Sequence, residues 1–346
     1  MEMRRLGTTN LTVSAICLGT MTWGRQNSEA EGHAQMDEAL ERGVTFWDTA
    51  EMYAIPPQAD TYGATERIIG TWFRQHGGRD RIVLTSKVIG RSPAFPWVRD
   101  GKACLDRRNI VAALEASLQR LGTDYIDLYQ IHWPDRSTNR FGVRDYQISD
   151  DAAATPLAET LVALDGLVRD GKIRHIGLSN ETAWGTMSFL KLSEQMGLTR
   201  IATIQNAYSL LNRTFETAQA EISHYEQVGL LAYAPLAAGT LSGKYLDGAI
   251  PAGSRRAIDQ RRSRYDTVNA DAATAAYIDV ARRHGLEPTQ MALAFVHQQP
   301  FVTATIIGAT SLAQLKSNID AFDLTLSPEV LAAIETVHQR FPNPCP

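Results

Sequence analysis

In DRRNIVAALEASLQRLGTDYIDLYQIHW, residues 106–133, a helix hands over to a strand. Asp106 stands where a helix N-cap belongs, and Ile110, Ala113, Leu114, Ser117, Leu118 and Leu121 recur at the helical period on one face. The run from Ile126 to Ile131 is short, apolar and rich in β-branched and aromatic residues. It reads as a buried strand that leads into His132. The same alternation continues in both directions. Before it lie strand-like 15–18, 45–49 and 82–87, separated by helix-like 29–42, closed by Gly43, and 65–76, which carries Ile68, Ile69, Trp72 and Phe73 on one face. After it lie strand-like 173–179, 201–205, 230–234 and 302–307, separated by helical 157–171, 182–196, 215–227, 271–284 and 289–298, and followed by 311–320.

Eight strand–helix units imply parallel strands joined by right-handed crossovers. The expected fold class is α/β, a closed (β/α)8 TIM barrel. Two pieces lie outside the repeat: an N-terminal β-hairpin around the turn Gly7-Thr8-Thr9-Asn10, and a C-terminal extra helix over 328–339. No linker or low-complexity tract interrupts 1–346, which reads as a single barrel domain. The competing architecture, an open doubly wound sheet, would carry GxGxxG near its first turn. Here Gly19-Thr20-Met21-Thr22-Trp23-Gly24 has the wrong spacing.

Composition narrows the partners. The chain has 346 residues, 44% of them hydrophobic, and a formal net charge of −4, so a nucleic-acid partner is not expected. The most basic stretch, Arg255-Arg256 to Arg261-Arg262 and Arg264, is large enough for one phosphate group and too small for a duplex track. Cys17, Cys104 and Cys345 form no CxxC pair, which argues against a disulfide framework and a structural metal site. There is no apolar leader and no run of 18 apolar residues. The expected setting is the cytoplasm, with no membrane partner.

The strand ends carry the chemistry. Asp48 closes 45–49 with Tyr53 five positions on, Lys87 closes 82–87, and His132 follows 126–131. A charged or polar group at a strand end is poorly placed for a core and well placed for the βα-loop face of a barrel, where active sites lie. Alone, each has an ordinary reading: a surface lysine, a loop histidine, a turn or helix-capping aspartate, a tyrosine with nothing to single it out. Together they read as proton-donor machinery, with Tyr53 as the acid, Lys87 lowering its pKa, Asp48 holding the lysine, and His132 orienting a carbonyl. Ser179, Asn180 and Gln205 offer donors and acceptors for a primary carboxamide, and Tyr233 offers a face for a flat ring, a combination that suits nicotinamide. Gly239 and Lys244 suit a pyrophosphate, and Gly308 leads into a helix N-terminus suited to another phosphate. A metal-dependent hydrolase would need clustered ligands, and His132 is the only histidine at a strand end.

Several motifs in order resemble the aldo-keto reductases: Asp48-Thr49-Ala50-Glu51-Met52-Tyr53, Ser86-Lys87, Gln130-Ile131-His132-Trp133, Gly177-Leu178-Ser179-Asn180, Gln205-Asn206, and Tyr233-Ala234-Pro235-Leu236 continuing to Leu241-Ser242-Gly243-Lys244-Tyr245. Gly19-Thr20-Met21-Thr22, Ile55-Pro56-Pro57 and Tyr208-Ser209-Leu210-Leu211-Asn212-Arg213 look most like its bacterial Tas-type branch. The resemblance implies carbonyl reduction with NADPH and no metal, with Tyr53, Asp48, Lys87 and His132 catalytic. It implies cofactor contacts from Gly19, Thr20, Asp48, Ser179, Asn180, Gln205, Tyr233, Ala234, Pro235, Leu236, Gly239, Lys244 and Gly308. Where many members hold the adenosine 2′-phosphate with a Lys-Ser pair and an arginine, this chain has Gly308-Ala309 and Gln314. That departure resembles the branch of potassium-channel β subunits, and it points to Arg255, Gln314 and Asn318 for the 2′-phosphate. Trp133 and Trp23 are candidate walls of the substrate site. A second function class, an NADPH-binding sensor or partner subunit with little turnover, would keep the same residues.

Overall fold

The computed structural model describes residues 1–149, 151–259 and 263–346. Strands β1 (Met3–Arg5) and β2 (Thr12–Ser14) form an antiparallel hairpin. Among the described residues, eight parallel strands then close into a barrel: β3 (Ile16–Gly19), β4 (Phe46–Asp48), β5 (Val83–Val88), β6 (Ile126–Ile131), β7 (Ile173–Ser179), β8 (Ile201–Ala207), β9 (Gly229–Tyr233) and β10 (Val302–Ile307), which returns to pair with β3. The helices outside it are α1 (Glu29–Glu41), α2 (Ala64–His76), α3 (Arg107–Leu121), α4 (Leu157–Arg169), α5 (Ala183–Met196), α6 (Gln219–Glu226), α7 (Arg255–Ile258), α8 (Ala270–Arg283), α9 (Pro288–His297), α10 (Leu312–Asp320) and the extra C-terminal α11 (Pro328–Arg340). The expected (β/α)8 barrel, hairpin and final helix are all present.

The two-residue period of a strand explains the two cores. Trp47, Leu84, Tyr129, Ile131, Leu178 and Ile204 face outward and join the helices in one large apolar layer. There Trp47 packs on Trp72 and Phe73 of α2, with ring centroids 5.0 and 5.9 Å apart. The alternate positions face the barrel axis. Cys17, Phe46, Leu128, Leu231, Ala304 and Ile306 fill the lower interior, and Leu6 and Val13 of the hairpin pack onto them as a plug. Burial of each large apolar side chain here contributes about 1.5–3 kcal/mol. Two residues further along the same strands the interior turns polar, at Asp48, Gln130 and Tyr233. Register then sets neighbours: Asp48 lies opposite Thr85, Lys87 opposite Gln130, and Ser179 opposite Gln205.

Caps fix where the helices start. Ser28 and Glu31 form a capping box on α1, Asp106 accepts from the Asn109 amide, and Ser311 accepts from the Gln314 amide; such caps stabilise by about 1 kcal/mol each. The sequence reading departs from the structure in places. The single helix expected over 215–227 is a short 3-10 turn, Thr214–Glu216, followed by α6, because Ala218 leaves helical geometry at φ −137°. Strand β8 runs two residues longer than expected, to Ala207, because Ala207 finds a partner in Tyr233. Of the arginine run, Arg261 and Arg262 lie outside the described residues. Among the described residues no helix is long and apolar enough to cross a membrane.

Candidate active site

Lys87 is no surface lysine: it is fully buried inside the barrel. Its Nζ donates to Asp48 Oδ2 and to the Thr49 carbonyl, both at 2.7 Å. Burial opposes its charge, but Asp48 and the Tyr53 phenol outweigh burial, and its pKa lies above the usual lysine value. The other Asp48 oxygen accepts from Gln205 Nε2 at 2.8 Å, and Gln130 Nε2 bridges from Thr85 Oγ1, at 2.6 Å, toward it at 3.4 Å. The Asp48–Lys87 pair is thus hydrogen-bonded at both carboxylate oxygens and at the ammonium, as a buried ion pair requires.

Tyr53 sits on the β4–α2 loop, which Glu51 anchors. The buried Glu51 carboxylate accepts from Arg99 Nη1 at 2.6 Å and Nη2 at 3.0 Å, from the Tyr62 hydroxyl at 2.6 Å, and from the Ile89 amide at 2.8 Å. Its own amide donates to the Lys87 carbonyl at 3.2 Å, so the loop is fixed to the strand that bears the lysine. Lys87 Nζ lies 5.1 Å from the Tyr53 ring centroid. The sequence reading expected Lys87 to lower the tyrosine pKa. Its effect has that sign, but burial outweighs it and the net shift is upward. The His132 ring meets Tyr53 edge-on at 5.7 Å. Burial, with Lys87 adding to it, pushes the imidazole well below its ordinary pKa, so His132 is neutral. Its buried Nδ1 has no partner among the described residues.

The expected carboxamide set is drawn together at the strand ends but engaged with itself. Ser179 Oγ donates to the Gln205 carbonyl at 2.9 Å. Asn180, at φ +53°, spans the mouth: its Nδ2 donates to the His132 carbonyl at 2.9 Å, and its Oδ1 accepts from the Tyr233 hydroxyl at 2.7 Å. Beyond Tyr233 the backbone holds Ala234, Ala237 and Ala238 at positive φ, an arrangement that costs about 1–2 kcal/mol per residue and concentrates at ligand sites. Pro235 and Leu236 lie within this turn. Gly239, at φ +89°, approaches Lys244 so closely that a Cβ there would lie 3.2 Å from Nζ. A bare backbone beside an ammonium fits a pyrophosphate. A Cβ on Gly308 would meet nothing within 4 Å, so the approach to the α10 N-terminus is open. Gln314 Oε1 accepts from the Thr310 amide at 2.9 Å, and Asn318 Nδ2 donates to the Gly308 carbonyl at 3.2 Å. The loop before α7 and the loop after β10 meet on one segment: Gln26 donates to the Gly253 carbonyl and Asn27 to the Thr310 carbonyl, each at 3.0 Å. Arg255 is half-buried rather than solvated, and burial pushes its pKa down. Its charge is within electrostatic reach of Tyr265, Asp259, Arg264 and Tyr53.

Other expected contacts are engaged in packing or in hydrogen bonds within the fold. Trp23 does not wall a pocket: it is 0% exposed, its indole N–H donates to Gln35 at 3.3 Å, and a Cβ on Gly32 of α1 would lie 3.1 Å from its ring. Thr20 is buried with its hydroxyl on the Asp48 carbonyl at 2.8 Å, and a side chain on Gly19 would collide with Ile306 at 2.8 Å where β3 closes against β10. Trp133 is buried beside His132, ring centroids 4.9 Å apart, and stacks on Phe95. Sequence reasoning gave no separate role to Gln130, Glu51 or Phe141, and read Arg264 only as part of the basic stretch. Gln130 had a signal, since strand alternation puts it on the same inward face as His132. The others sit in loops with no period to reveal them.

Comparison with known proteins agrees with this geometry. The Aldo/keto reductase family matches residues 15–339. Protein tas of Escherichia coli (strain K12) is 53% identical over the whole of both chains. The uncharacterized oxidoreductase YrpG of Bacillus subtilis is 35% identical over 99% of this chain and 97% of its own. A probable voltage-gated potassium channel subunit beta of Arabidopsis thaliana is 30% identical over 99% of this chain and 98% of its own.

Proposed function

The chain belongs to the aldo/keto reductase family, an assignment to oxidoreductases, and from that premise we propose that it reduces aldehydes or ketones to alcohols with NADPH. The observation that carries the proposal is the buried Asp48–Lys87 pair beside Tyr53, with neutral His132 against the same ring. A bound nicotinamide supplies the hydride. Gly239, Lys244, Gly308 and the α10 N-terminus would hold its phosphates, Tyr233 its ring, and Ser179, Asn180 and Gln205 its carboxamide once they exchange their present partners. The Arg255 cation, with an uncharged hydrogen bond from Gln314, would favour the phosphorylated dinucleotide.

His132 donates a hydrogen bond to the carbonyl oxygen and sets its position near the Tyr53 hydroxyl. As negative charge develops on that oxygen, Tyr53 gives up its proton. At rest the raised pKa keeps the phenol fully protonated. The Lys87 ammonium acts on the other side of the step, where it stabilises the phenolate left behind, and Asp48 keeps that ammonium charged. Tyr53→Phe retains the ring and removes the proton, so kcat should fall about 10²–10⁴-fold while NADPH affinity stays near wild type. A variant that turns over at the wild-type rate rules Tyr53 out as the acid. The 30% identity to a channel β subunit supports a second reading, a cofactor-binding partner subunit. That reading holds if NADPH binds tightly and no aldehyde or ketone in a broad panel oxidises it.

A further inference from the structure

The long segment between β6 and α4 and the one between β9 and α8 meet over the barrel mouth, and Arg264 lies at their junction. Its Nη1 donates to the Tyr233 hydroxyl at 3.2 Å, and its guanidinium carbon is 5.7 Å from the Tyr233 ring centroid and 5.4 Å from that of Phe141. Phe141 packs edge-on against Trp133 at 5.9 Å, and Trp133 adjoins His132. Asn180 closes the circuit from Tyr233 back to the His132 carbonyl. Arg264 therefore belongs to the ring of side chains that surrounds the acid.

Among the described residues no side-chain counter-charge meets it. Three other half-buried arginines at strand-end loops or helices meet carboxylates: Arg99 meets Glu51, Arg120 meets Glu66, and Arg136 meets Glu181. Among the described residues Arg264 pairs with no side-chain carboxylate; its partners are the phenol of Tyr233 and aromatic faces. The phenols do not supply the charge. Tyr233 commits its proton to Asn180, and burial pushes Tyr265 up to about 12. Arg255 stands within electrostatic reach of Arg264 and the two guanidiniums oppose each other, while Asp259 faces Arg255 and not Arg264. A partly desolvated cation facing neutral groups and a second cation is a poor resting arrangement and a good receptor for an anion.

We propose that Arg264 recognises an oxyanion, a carboxylate or phosphate, on the carbonyl substrate, so that the protein reduces anionic aldehydes or ketones in preference to neutral ones. The inference rests on the carbonyl-reductase reading above. The planar guanidinium matches either oxyanion through two parallel hydrogen bonds. The competing source of such a group at the mouth is a phosphate of the cofactor, and the test separates the two.

NADPH oxidation is measured with two matched pairs, succinic semialdehyde against pentanal and glyceraldehyde 3-phosphate against glyceraldehyde, for wild type, Arg264→Gln and Arg264→Lys. Wild-type kcat/KM should favour the anionic member of at least one pair by about ten- to hundredfold, the range of a hydrogen bond to a charged group. The favoured pair tells carboxylate from phosphate. Arg264→Gln should collapse that ratio through KM, Arg264→Lys should keep part of it, and added salt should shrink it in the wild type. A wild-type ratio at or below one in both pairs overturns the inference even if no variant folds. So does a ratio that Arg264→Gln leaves unchanged, and so does weakened NADPH binding with the ratio intact, which would give the guanidinium to the cofactor. Turnover of neutral aldehydes without anionic preference defeats this inference alone. Absence of turnover with every aldehyde defeats the reductase reading and this one with it.

Discussion

Replacing Glu51 with alanine probes how the loop that carries Tyr53 is held. Four donors converge on this fully buried carboxylate: Arg99 twice, the Tyr62 hydroxyl and the Ile89 amide. Truncation strands all of them. Arg99 keeps only its Nε bond to Asn109 Oδ1, at 2.9 Å. Breaking a buried ion pair from one side costs about 3–5 kcal/mol, and a stranded buried amide adds about 1–3 kcal/mol. Water entering the vacated space offsets part of the sum and leaves about 4 kcal/mol. An unfolding entropy of about 2.1 cal/mol/K per residue is about 0.7 kcal/mol/K for a chain of this length, so the thermal midpoint should drop by about 5–6 °C. Glu51→Gln keeps the volume and an acceptor for the Ile89 amide, and should lose about half as much. Because Tyr53 is two residues away on the same loop, kcat should fall as well, by about tenfold or more, since a displacement near 1 Å can cost about 10²-fold. Calorimetry and steady-state NADPH oxidation on the same preparations supply both readouts. A midpoint within about 1 °C of wild type would refute the energetic argument. A lowered midpoint with unchanged kcat would show that the network stabilises the fold without positioning the acid.

Arg255→Ala should weaken NADPH binding by about 1.5–3 kcal/mol and leave NADH binding nearly unchanged, as read by fluorescence titration. Equal losses for both cofactors would move Arg255 to the pyrophosphate or to loop support, and a raised substrate KM with intact NADPH affinity would join it to Arg264 at the mouth. His132→Gln should flatten the acid limb of stability. The native imidazole stays neutral well below pH 6.5, where the unfolded chain takes up a proton. The unfolded state then binds more protons, so wild-type stability falls as pH drops below about 6.5, by up to about 1.4 kcal/mol per pH unit from this group. Denaturant unfolding of both proteins between pH 7 and pH 5 checks this, and parallel pH dependences would show that His132 titrates normally in the fold.

Particular residues show how far the chain could be read unaided. Asp48, Lys87 and His132 stood out because each polar group ends an apolar run, and a strand that must bury both faces tolerates such a residue only at its open end. Their convergence followed from the barrel itself, which brings all strand ends to one rim. The state of those groups did not follow. Lys87 looks in sequence like an exposed cation; only closure of the barrel removes it from water and makes Asp48 its obligatory partner. Trp23 looks like a pocket wall because it sits in a strand-end loop, yet helix packing turned it into the core.

The one-dimensional pattern by itself determined the eight strands, their alternation with helices, and the rim on which the polar residues gather, because periodicity and capping act over a few residues and are written locally. Tertiary structure decided which charges meet. Gln205 reaches Asp48 across 157 residues of chain, Glu51 takes Arg99 from 48 residues away, and Arg264 lies on Tyr233 from 31 residues on. Such pairings depend on loop paths and on how much water each group loses, and neither quantity has a period that a sequence displays.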